Sequence, residues 1–177
     1  MIFKLVGLSA FVGVLSLCAA YKITPNVIDG VPSILNITTE PFIKIGTGYY
    51  FIQTKLPQNW HAAFESCRQM EAVLIAFESL EEMEMIWKHL SAMNPVRPFW
   101  TAGTDFAEQD KHVWFSNGQP VPSILWREGE PNNFENNEHC DNIYVTQGFG
   151  LNDDECAKLF YYVCKAPQPK TASFIVW

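Results

Sequence analysis

The sequence of 177 residues has the length of a single domain, and its 48% of hydrophobic residues is enough to build a core. The formal net charge at pH 7 is −7 and no basic cluster occurs, which argues against nucleic acid or an anionic membrane surface as a partner.

The first twenty residues have the pattern of a secretory signal peptide. Lys4 supplies the charged start, an apolar run follows over 5–17, and small residues at 18–20 suit cleavage. Because the run is shorter than the roughly 20 residues of a spanning helix, we expect 1–20 to be removed and the protein to be secreted, extracellular and not inserted in a membrane. Asn36 opens the only glycosylation sequon, which fits that location.

Two helices are predicted after an extended beginning. Residues 21–41 are predicted to be an extended N-terminal segment, and 42–53 to be strand. Asn59 can cap the first helix, and Ser79 with Glu82 forms a capping box for the second. The apolar residues at helical spacing are Trp60, Ala63, Phe64, Cys67 and Met70 in the first helix, and Leu80, Met83, Trp87 and Leu90 in the second.

Short strands take over in the second half of the chain. We predict strands over 99–102, 112–115 and 159–164, whereas 118–150 is rich in Pro, Gly and Asn and has little periodicity. A compact domain seldom keeps so long an irregular stretch without a functional reason. Residues 166–177 form a C-terminal tail. Strand, two helices and further strands around a long loop predict an α+β fold class.

Four cysteines remain once Cys18 leaves with the signal peptide, namely Cys67, Cys140, Cys156 and Cys164. An even number in a secreted chain predicts two disulfides, for which three pairings exist. No CxxC pair occurs, so a zinc ribbon is not expected.

The irregular stretch and the residues after it offer oxygen ligands for a hard cation. These ligands are Glu130, Asn132, Glu138, Asn152 and Asp153. Calcium takes about six to eight oxygens, which carboxylates and amides supply, whereas zinc or copper would find only His139 as a softer ligand. A bridge between Cys140 and Cys156, one of the three pairings, would hold the two groups of ligands together. We therefore expect calcium as the cofactor.

Pro131 stands between two of these ligands. Side chains two residues apart in an extended trans segment share a face but lie far apart, and an X–Pro bond can be cis at modest cost. We expect a cis Glu130–Pro131 bond, because it would turn the side chains of Glu130 and Asn132 toward one ion.

Residues 42–165 resemble the C-type lectins. The motifs that carry the resemblance are Glu-Pro-Asn at 130–132, a Glu two residues before Cys140, and Asn-Asp at 152–153 before Cys156. The resemblance implies a C-type lectin-like fold of two helices, small antiparallel sheets and a long calcium-binding loop, similar to that of small secreted invertebrate lectins. It also implies the disulfides Cys67–Cys164 and Cys140–Cys156 and the metal ligands Glu130, Asn132, Glu138, Asn152 and Asp153.

The same five residues would bind carbohydrate. In the family, two neighbouring sugar hydroxyls coordinate the calcium while its ligands hydrogen-bond them. The order Glu-Pro-Asn resembles that of members which bind mannose, fucose, glucose or N-acetylglucosamine, whereas Gln-Pro-Asp goes with galactose. The resemblance implies glycans on glycoproteins or microbial surfaces as partners and a role in innate immunity. Galactose binding, or a domain of this fold that binds a protein partner, stays as an alternative.

Some positions depart from the family pattern. Leu151 replaces a Trp, and Asn133 and His139 stand where many members have the Asp ligands of an accessory calcium. Asp105 and Glu108 could contribute to that site, but we expect it to be weak or absent.

An enzyme is not expected. No Gly-x-Ser-x-Gly, HExxH or phosphate-binding loop occurs, and His61, His89 and His112 are predicted to be surface residues rather than catalysts. Glu130 and Glu138 could be read as the acid and nucleophile of a glycosidase, but the interleaved amides favour a metal site.

Two further properties concern how the sugar is held. Phe134 is predicted to affect which sugar fits, by packing against the face of the sugar or by obstructing it.

A weak homo-oligomer, formed through 21–41 or the tail, stays a possible state of the protein. Single sugar contacts are weak, so binding would gain from several sites, but the sequence has no heptad or collagen-like stalk that would build an oligomer.

Overall fold

The computed structural model describes residues 23–29 and 38–176, with side chains for 38–170. The predicted signal peptide 1–20 and the predicted glycosylation site Asn36 lie outside the described residues. In the described part of the chain, no helix has the length and apolar character needed to cross a bilayer.

Both helices begin where the capping residues predict. Helix α1 spans Trp60–Gln69, and the Asn59 side chain accepts a first-turn N–H at 2.9 Å. Helix α2 spans Leu80–Ala92, and the Ser79 hydroxyl accepts the Glu82 N–H at 3.2 Å. These caps satisfy N–H groups that the first turn of a helix leaves without an intrahelical partner.

Among the described residues, eight strands form one sheet. They are β2 Ile43–Ile45, β3 Gly48–Gln58, β4 Val73–Leu74, β5 Phe99–Thr104, β6 Val113–Trp114, β7 Cys140–Ile143, β8 Leu151–Asp154 and β9 Phe160–Lys165. Their main order is β2-β3-β9-β5-β7-β8, with β4 beside β9 and β6 beside β5. Paired strands are antiparallel except β5 and β9, which run parallel.

This arrangement confirms the α+β class with two helices. The small antiparallel sheets that the resemblance implies are joined into one mixed sheet instead. The reason is the position of β9, which lies between β3 and β5 and links the strands on either side of it.

The two ends of the described chain pair with each other. Strand β1, Ile23–Asp29, is antiparallel to β10, Lys170–Val176. Part of the predicted extended segment 21–41 is therefore a strand, and its partner comes from the predicted tail 166–177. No sequence pattern predicts this pairing, because the two segments lie at opposite ends of the chain.

The capping box of α2 is only half formed. The Glu82 carboxylate does not return to the Ser79 N–H; it accepts the Glu78 N–H at 2.8 Å and the Tyr50 hydroxyl at 2.5 Å. Lys165 Nζ lies 2.7 Å from the same carboxylate. Charge-assisted bonds of this kind are strong, so Glu82 ties α2 to the sheet rather than completing the cap.

Two disulfides reinforce the fold, Cys67–Cys164 and Cys140–Cys156, and this pairing agrees with the one that the resemblance implies. The first joins α1 to β9 across a sequence separation of 97 residues, and the second joins β7 to the turn after β8 across 16. In the chain-entropy view, cross-links that close loops of these lengths restrict the unfolded chain and so stabilise the fold by about 4–5 and about 3 kcal/mol. The second bond pins both ends of the region that carries the candidate ligands.

Two tryptophans tie β5 to its neighbours, Trp60 from α1 and Trp100 toward β3. Trp60 and Trp100 are buried, and each indole N–H donates to a backbone carbonyl: Trp60 to Thr101 at 2.8 Å and Trp100 to Gln58 at 2.9 Å. Buried indoles with satisfied N–H groups contribute a large apolar area without an unpaired donor. Strand β5 is thereby fixed in the core, and β7 and β8 are added at its edge.

Candidate functional site

Strands β7 and β8 gather candidate ligands from separate parts of the chain. The strands are antiparallel, and the Cys140–Cys156 bond joins β7 to the turn after β8. Glu138 lies just before β7, whereas Asn152 and Asp153 lie on β8. The pairing and the disulfide therefore bring the loop ligand and the strand ligands to one region.

The buried carboxylate of Asp153 holds the Glu-Pro-Asn loop. Its Oδ1 accepts the N–H of Asn132 at 3.0 Å, and its Oδ2 accepts the N–H of Asn133 at 2.8 Å. The Glu130–Pro131 peptide bond is cis, as predicted from the motif. Asp153 is 0% exposed, and a buried carboxylate requires hydrogen-bond donors. The loop backbone supplies two of them.

Glu138 closes the other end of the loop. Its Oε2 accepts the Phe134 N–H at 3.1 Å, and its own N–H donates to Asn133 Oδ1 at 3.2 Å. Burial raises the pKa of Glu138 to about 7; the Phe134 N–H opposes the rise, and the charges of Asp154 and Asp153 add to it. A carboxylate in this position favours any cation that compensates its charge.

Glu130 is paired on one carboxylate oxygen only. Its side chain is 6% exposed, and Oε1 accepts from Arg127 Nη2 at 2.7 Å, whereas Oε2 is buried without a hydrogen-bond partner. Burial raises the pKa of Glu130, the bond from Arg127 lowers it, and the charge of nearby Asp153 raises it. A buried oxygen without a partner is costly unless a donor or a cation meets it.

Arg127 was not predicted to belong to the site. Its Nη2 donates to Asn152 Oδ1 at 2.7 Å as well as to Glu130, and its Nη1 donates to Gln147 Oε1 at 3.0 Å. The Asn152 amide in turn makes a short contact with the Asp153 carbonyl. In the sequence, Arg127 stands three residues before the candidate ligand Glu130. That spacing predicts a side-chain contact only when both residues lie on a helix.

The candidate ligands fit a hard cation by their chemistry. Among the described residues, no three His, Cys, Asp or Glu side chains form a cluster typical of a metal centre. A cluster of those four residue types cannot include Asn132 and Asn152, the two amides among the five candidates. All five offer oxygen, the donor that calcium prefers over nitrogen or sulfur. The unpartnered oxygen of Glu130 and the raised pKa of Glu138 are the observations that favour a cation here.

The residues considered for an accessory calcium have other partners. Asp105 is buried; its Oδ1 lies 2.9 Å from His139 Nδ1, and its Oδ2 accepts the Asp110 N–H at 2.9 Å. Glu108 pairs with Lys111 at 2.6 Å. The expectation that an accessory site is weak or absent stays a prediction.

The prediction that His112 lies on the surface is wrong. His112 is 7% exposed, and its Nδ1 lies 2.7 Å from Oδ1 of Asp141, which is fully buried on β7. Burial lowers the pKa of His112, but the hydrogen bond and charge of Asp141 outweigh it and raise the pKa overall. Burial raises the pKa of Asp141 to about 6. A buried acid needs a partner, but the sequence places Asp141 in the irregular stretch 118–150 and so gives no signal that locates His112.

Comparisons with known proteins bear on this site. A family model for the lectin C-type domain matches residues 56–166. C-type lectin 37Da of Drosophila melanogaster is 38% identical over 165 residues, which cover 88% of this chain and 88% of that protein.

Solved structures show the same fold. The C-type lectin domain of murine dendritic cell inhibitory receptor 2, in complex with an N-glycan, has a TM-score of 0.63 and 26% identity, and the likeness covers 75% of this chain and 100% of that one. The herring type II antifreeze protein has a TM-score of 0.61 and 24% identity over 75% of this chain and 100% of its own. The shape of the domain alone therefore does not decide what it binds.

Proposed function

We propose that this chain, which belongs to the C-type lectin family, is a secreted, calcium-dependent lectin for mannose-type sugars. The family is one of carbohydrate-binding proteins, and its domains generally bind calcium. The observation that carries the proposal is the buried, unpartnered Oε2 of Glu130 near the buried carboxylate of Asp153. Two acids so placed repel each other, and a shared cation relieves that repulsion.

Calcium is the cation that the donor set favours. The proposed ligands are Glu130, Asn132, Glu138, Asn152 and Asp153. Three carboxylates more than balance a divalent charge, and two amides add neutral oxygens. Zinc and copper favour nitrogen and sulfur ligands, and none of the five proposed ligands offers either atom. When bound, calcium supplies a charge on which two neighbouring sugar hydroxyls can coordinate.

Each sugar hydroxyl is met by one acceptor and one donor in this proposal. Glu130 accepts and the Asn132 amide donates for the first hydroxyl, and Glu138 accepts and the Asn152 amide donates for the second. Asp153 mainly holds the metal. The order Glu-Pro-Asn favours two neighbouring equatorial hydroxyls, which mannose, glucose and N-acetylglucosamine present at positions 3 and 4 and fucose presents at positions 2 and 3.

Phe134 is the proposed selectivity residue beside these ligands. Its side chain is 65% exposed, while its backbone N–H is bonded to Glu138. An exposed aromatic ring held next to a ligand can pack against the apolar face of one sugar and obstruct the substituents of another.

Glycans on glycoproteins or microbial surfaces are the proposed partners, and recognition in innate immunity is the proposed role. The two disulfides suit an oxidising extracellular compartment. A single site of this kind binds one sugar weakly, so adhesion to a surface would depend on many sites acting at once.

Chromatography on mannose-agarose tests the proposal. We expect the wild type to be retained in calcium and released by EDTA, and Glu138→Gln to pass through because it removes a carboxylate from the site. Glu135→Gln is the matched control, since Glu135 is exposed in the same loop and is not a proposed ligand. Retention of the wild type that survives EDTA would contradict calcium dependence, and a parallel galactose-agarose column tests the alternative specificity.

A further inference from the structure

Arg127 joins two residues that the proposed function assigns to the metal. Its Nη2 lies 2.7 Å from Glu130 Oε1 and 2.7 Å from Asn152 Oδ1. Glu130 lies in the long loop and Asn152 lies on β8, so the guanidinium links the two sides of the site. The Arg127 side chain is 21% exposed, which limits the solvent that can screen its charge.

The surrounding chain fixes the position of Arg127. Its N–H donates to the Leu151 carbonyl at 3.0 Å, and its carbonyl accepts the Glu130 N–H at 3.0 Å. A Cβ at Gly150 would lie 2.4 Å from the Arg127 backbone nitrogen, so a glycine is needed for this approach. Gln147 Oε1 accepts from Nη1 at 3.0 Å. The guanidinium is thus placed by contacts that do not depend on a metal.

In the proposed site, a guanidinium and a divalent cation compete for the single amide oxygen of Asn152 and for the negative charge of the Glu130 carboxylate. A guanidinium carries a positive charge, and the bonds of Arg127 occupy one oxygen of Glu130 and the amide oxygen of Asn152. Two cations that bind the same carboxylate would also repel each other, most strongly where solvent is limited. The acids of the site nevertheless need positive charge nearby when no metal is bound.

We propose that Arg127 is a built-in counter-cation that competes with calcium for Glu130 and Asn152. This inference rests on the proposed function of those two residues as metal ligands. Without calcium, Arg127 holds the loop and β8 together; when calcium binds, Arg127 gives up at least one of its two bonds. Its presence therefore sets the calcium affinity lower than the ligands alone would make it, and keeps the site assembled after calcium leaves.

Calorimetric titration of calcium into the wild type and Arg127→Gln tests the inference. We expect Arg127→Gln to bind calcium roughly tenfold more tightly, because the repulsion is removed and both oxygens are freed. Its midpoint of thermal unfolding in EDTA should fall below that of the wild type, because the bridge is lost. Arg97→Gln removes the same charge from a guanidinium that donates to the Leu159 carbonyl, and it should change neither quantity.

Gln147→Ala is a second variant that retains the charge of Arg127 and removes one of its anchors. We expect it to tighten calcium binding in the same direction by a smaller factor, roughly twofold to threefold. Calcium binding by Arg127→Gln that is unchanged or weaker than that of the wild type would overturn the inference and leave the proposed function in place. A lack of calcium binding by every protein in the series would overturn the proposed function, and the inference with it.

Discussion

Asp153 Oδ1 accepts the backbone N–H of Asn132 at 3.0 Å, so a buried carboxylate on β8 holds the loop that carries the Glu-Pro-Asn motif. The second oxygen of Asp153 accepts the next N–H along the chain at 2.8 Å. In the proposed site the same carboxylate also binds the metal. Loop position and metal binding therefore depend on one side chain.

Replacing Asp153 should affect both properties together. We expect Asp153→Asn to weaken calcium binding more than about tenfold and to lower the free energy of unfolding by about 1–3 kcal/mol, because it removes a charge and one acceptor of a buried hydrogen bond. Calorimetry and urea unfolding measure the two effects. Glu155→Gln, which alters a half-exposed acid two residues further along the chain, should change neither the calcium affinity nor the free energy of unfolding. An unaltered free energy of unfolding would refute the anchoring role.

The order of acceptor and donor around Pro131 should set the sugar preference. Glu130→Gln combined with Asn132→Asp exchanges the hydrogen-bonding character of the two positions, and we expect the variant to shift from mannose toward galactose. Inhibition of binding by free monosaccharides measures the shift. An inhibition profile identical to that of the wild type would count against the hydroxyl assignments.

The raised pKa of Glu138, about 7, predicts that mild acid weakens calcium binding. The metal needs the carboxylate form, so protons compete with calcium below about pH 7, and affinity should fall between about pH 7.5 and about pH 5.5. Calorimetry at the two values measures the change. Equal affinity at both would contradict a role for Glu138 as a ligand.

The same pKa affects the protein without calcium in the opposite sense. The folded state holds the Glu138 proton more tightly than the unfolded chain, so the free energy of unfolding should decline as the pH rises from about 4.5 to about 7. Urea unfolding in EDTA across this range measures the slope. Glu138→Gln cannot titrate there and should show a smaller slope; an identical slope would show that other groups cause it.

The buried pair of His112 and Asp141 should contribute as a unit. We expect His112→Leu to lower the free energy of unfolding by about 3–5 kcal/mol, because it leaves the Asp141 carboxylate buried without a partner. The double variant His112→Leu, Asp141→Val should lose less, since an apolar replacement of both partners removes the unpaired charge. Urea unfolding of the two variants decides the matter, and a larger loss in the double variant would contradict the pairing.

Local signals were sufficient for the helices and for the loop. A cap acts within one helical turn, so Asn59 and Ser79 could be recognised from their immediate neighbours. The cis bond before Pro131 is likewise a property of two adjacent residues. The disulfide pairing required more, because the cysteine count leaves three choices and only the family resemblance selects one.

Contacts between remote residues were not predictable in this way. Arg127 lies in an irregular loop without periodicity, and its bond to Asn152 exists only because the long loop returns to β8. His112 reads as the beginning of a surface strand, because its partner Asp141 lies 29 residues further along the chain. Strand β8 itself contains three polar residues, Asn-Asp-Asp, which no strand pattern favours.

The most direct test of the central claim is binding of the wild-type protein to an array of glycans, first in calcium and then in EDTA. The proposed site predicts binding to glycans that end in mannose, fucose or N-acetylglucosamine in calcium, and loss of that binding in EDTA. Binding to galactose-terminated glycans alone would contradict the assigned specificity, and glycan binding that EDTA leaves unchanged would contradict the calcium site itself.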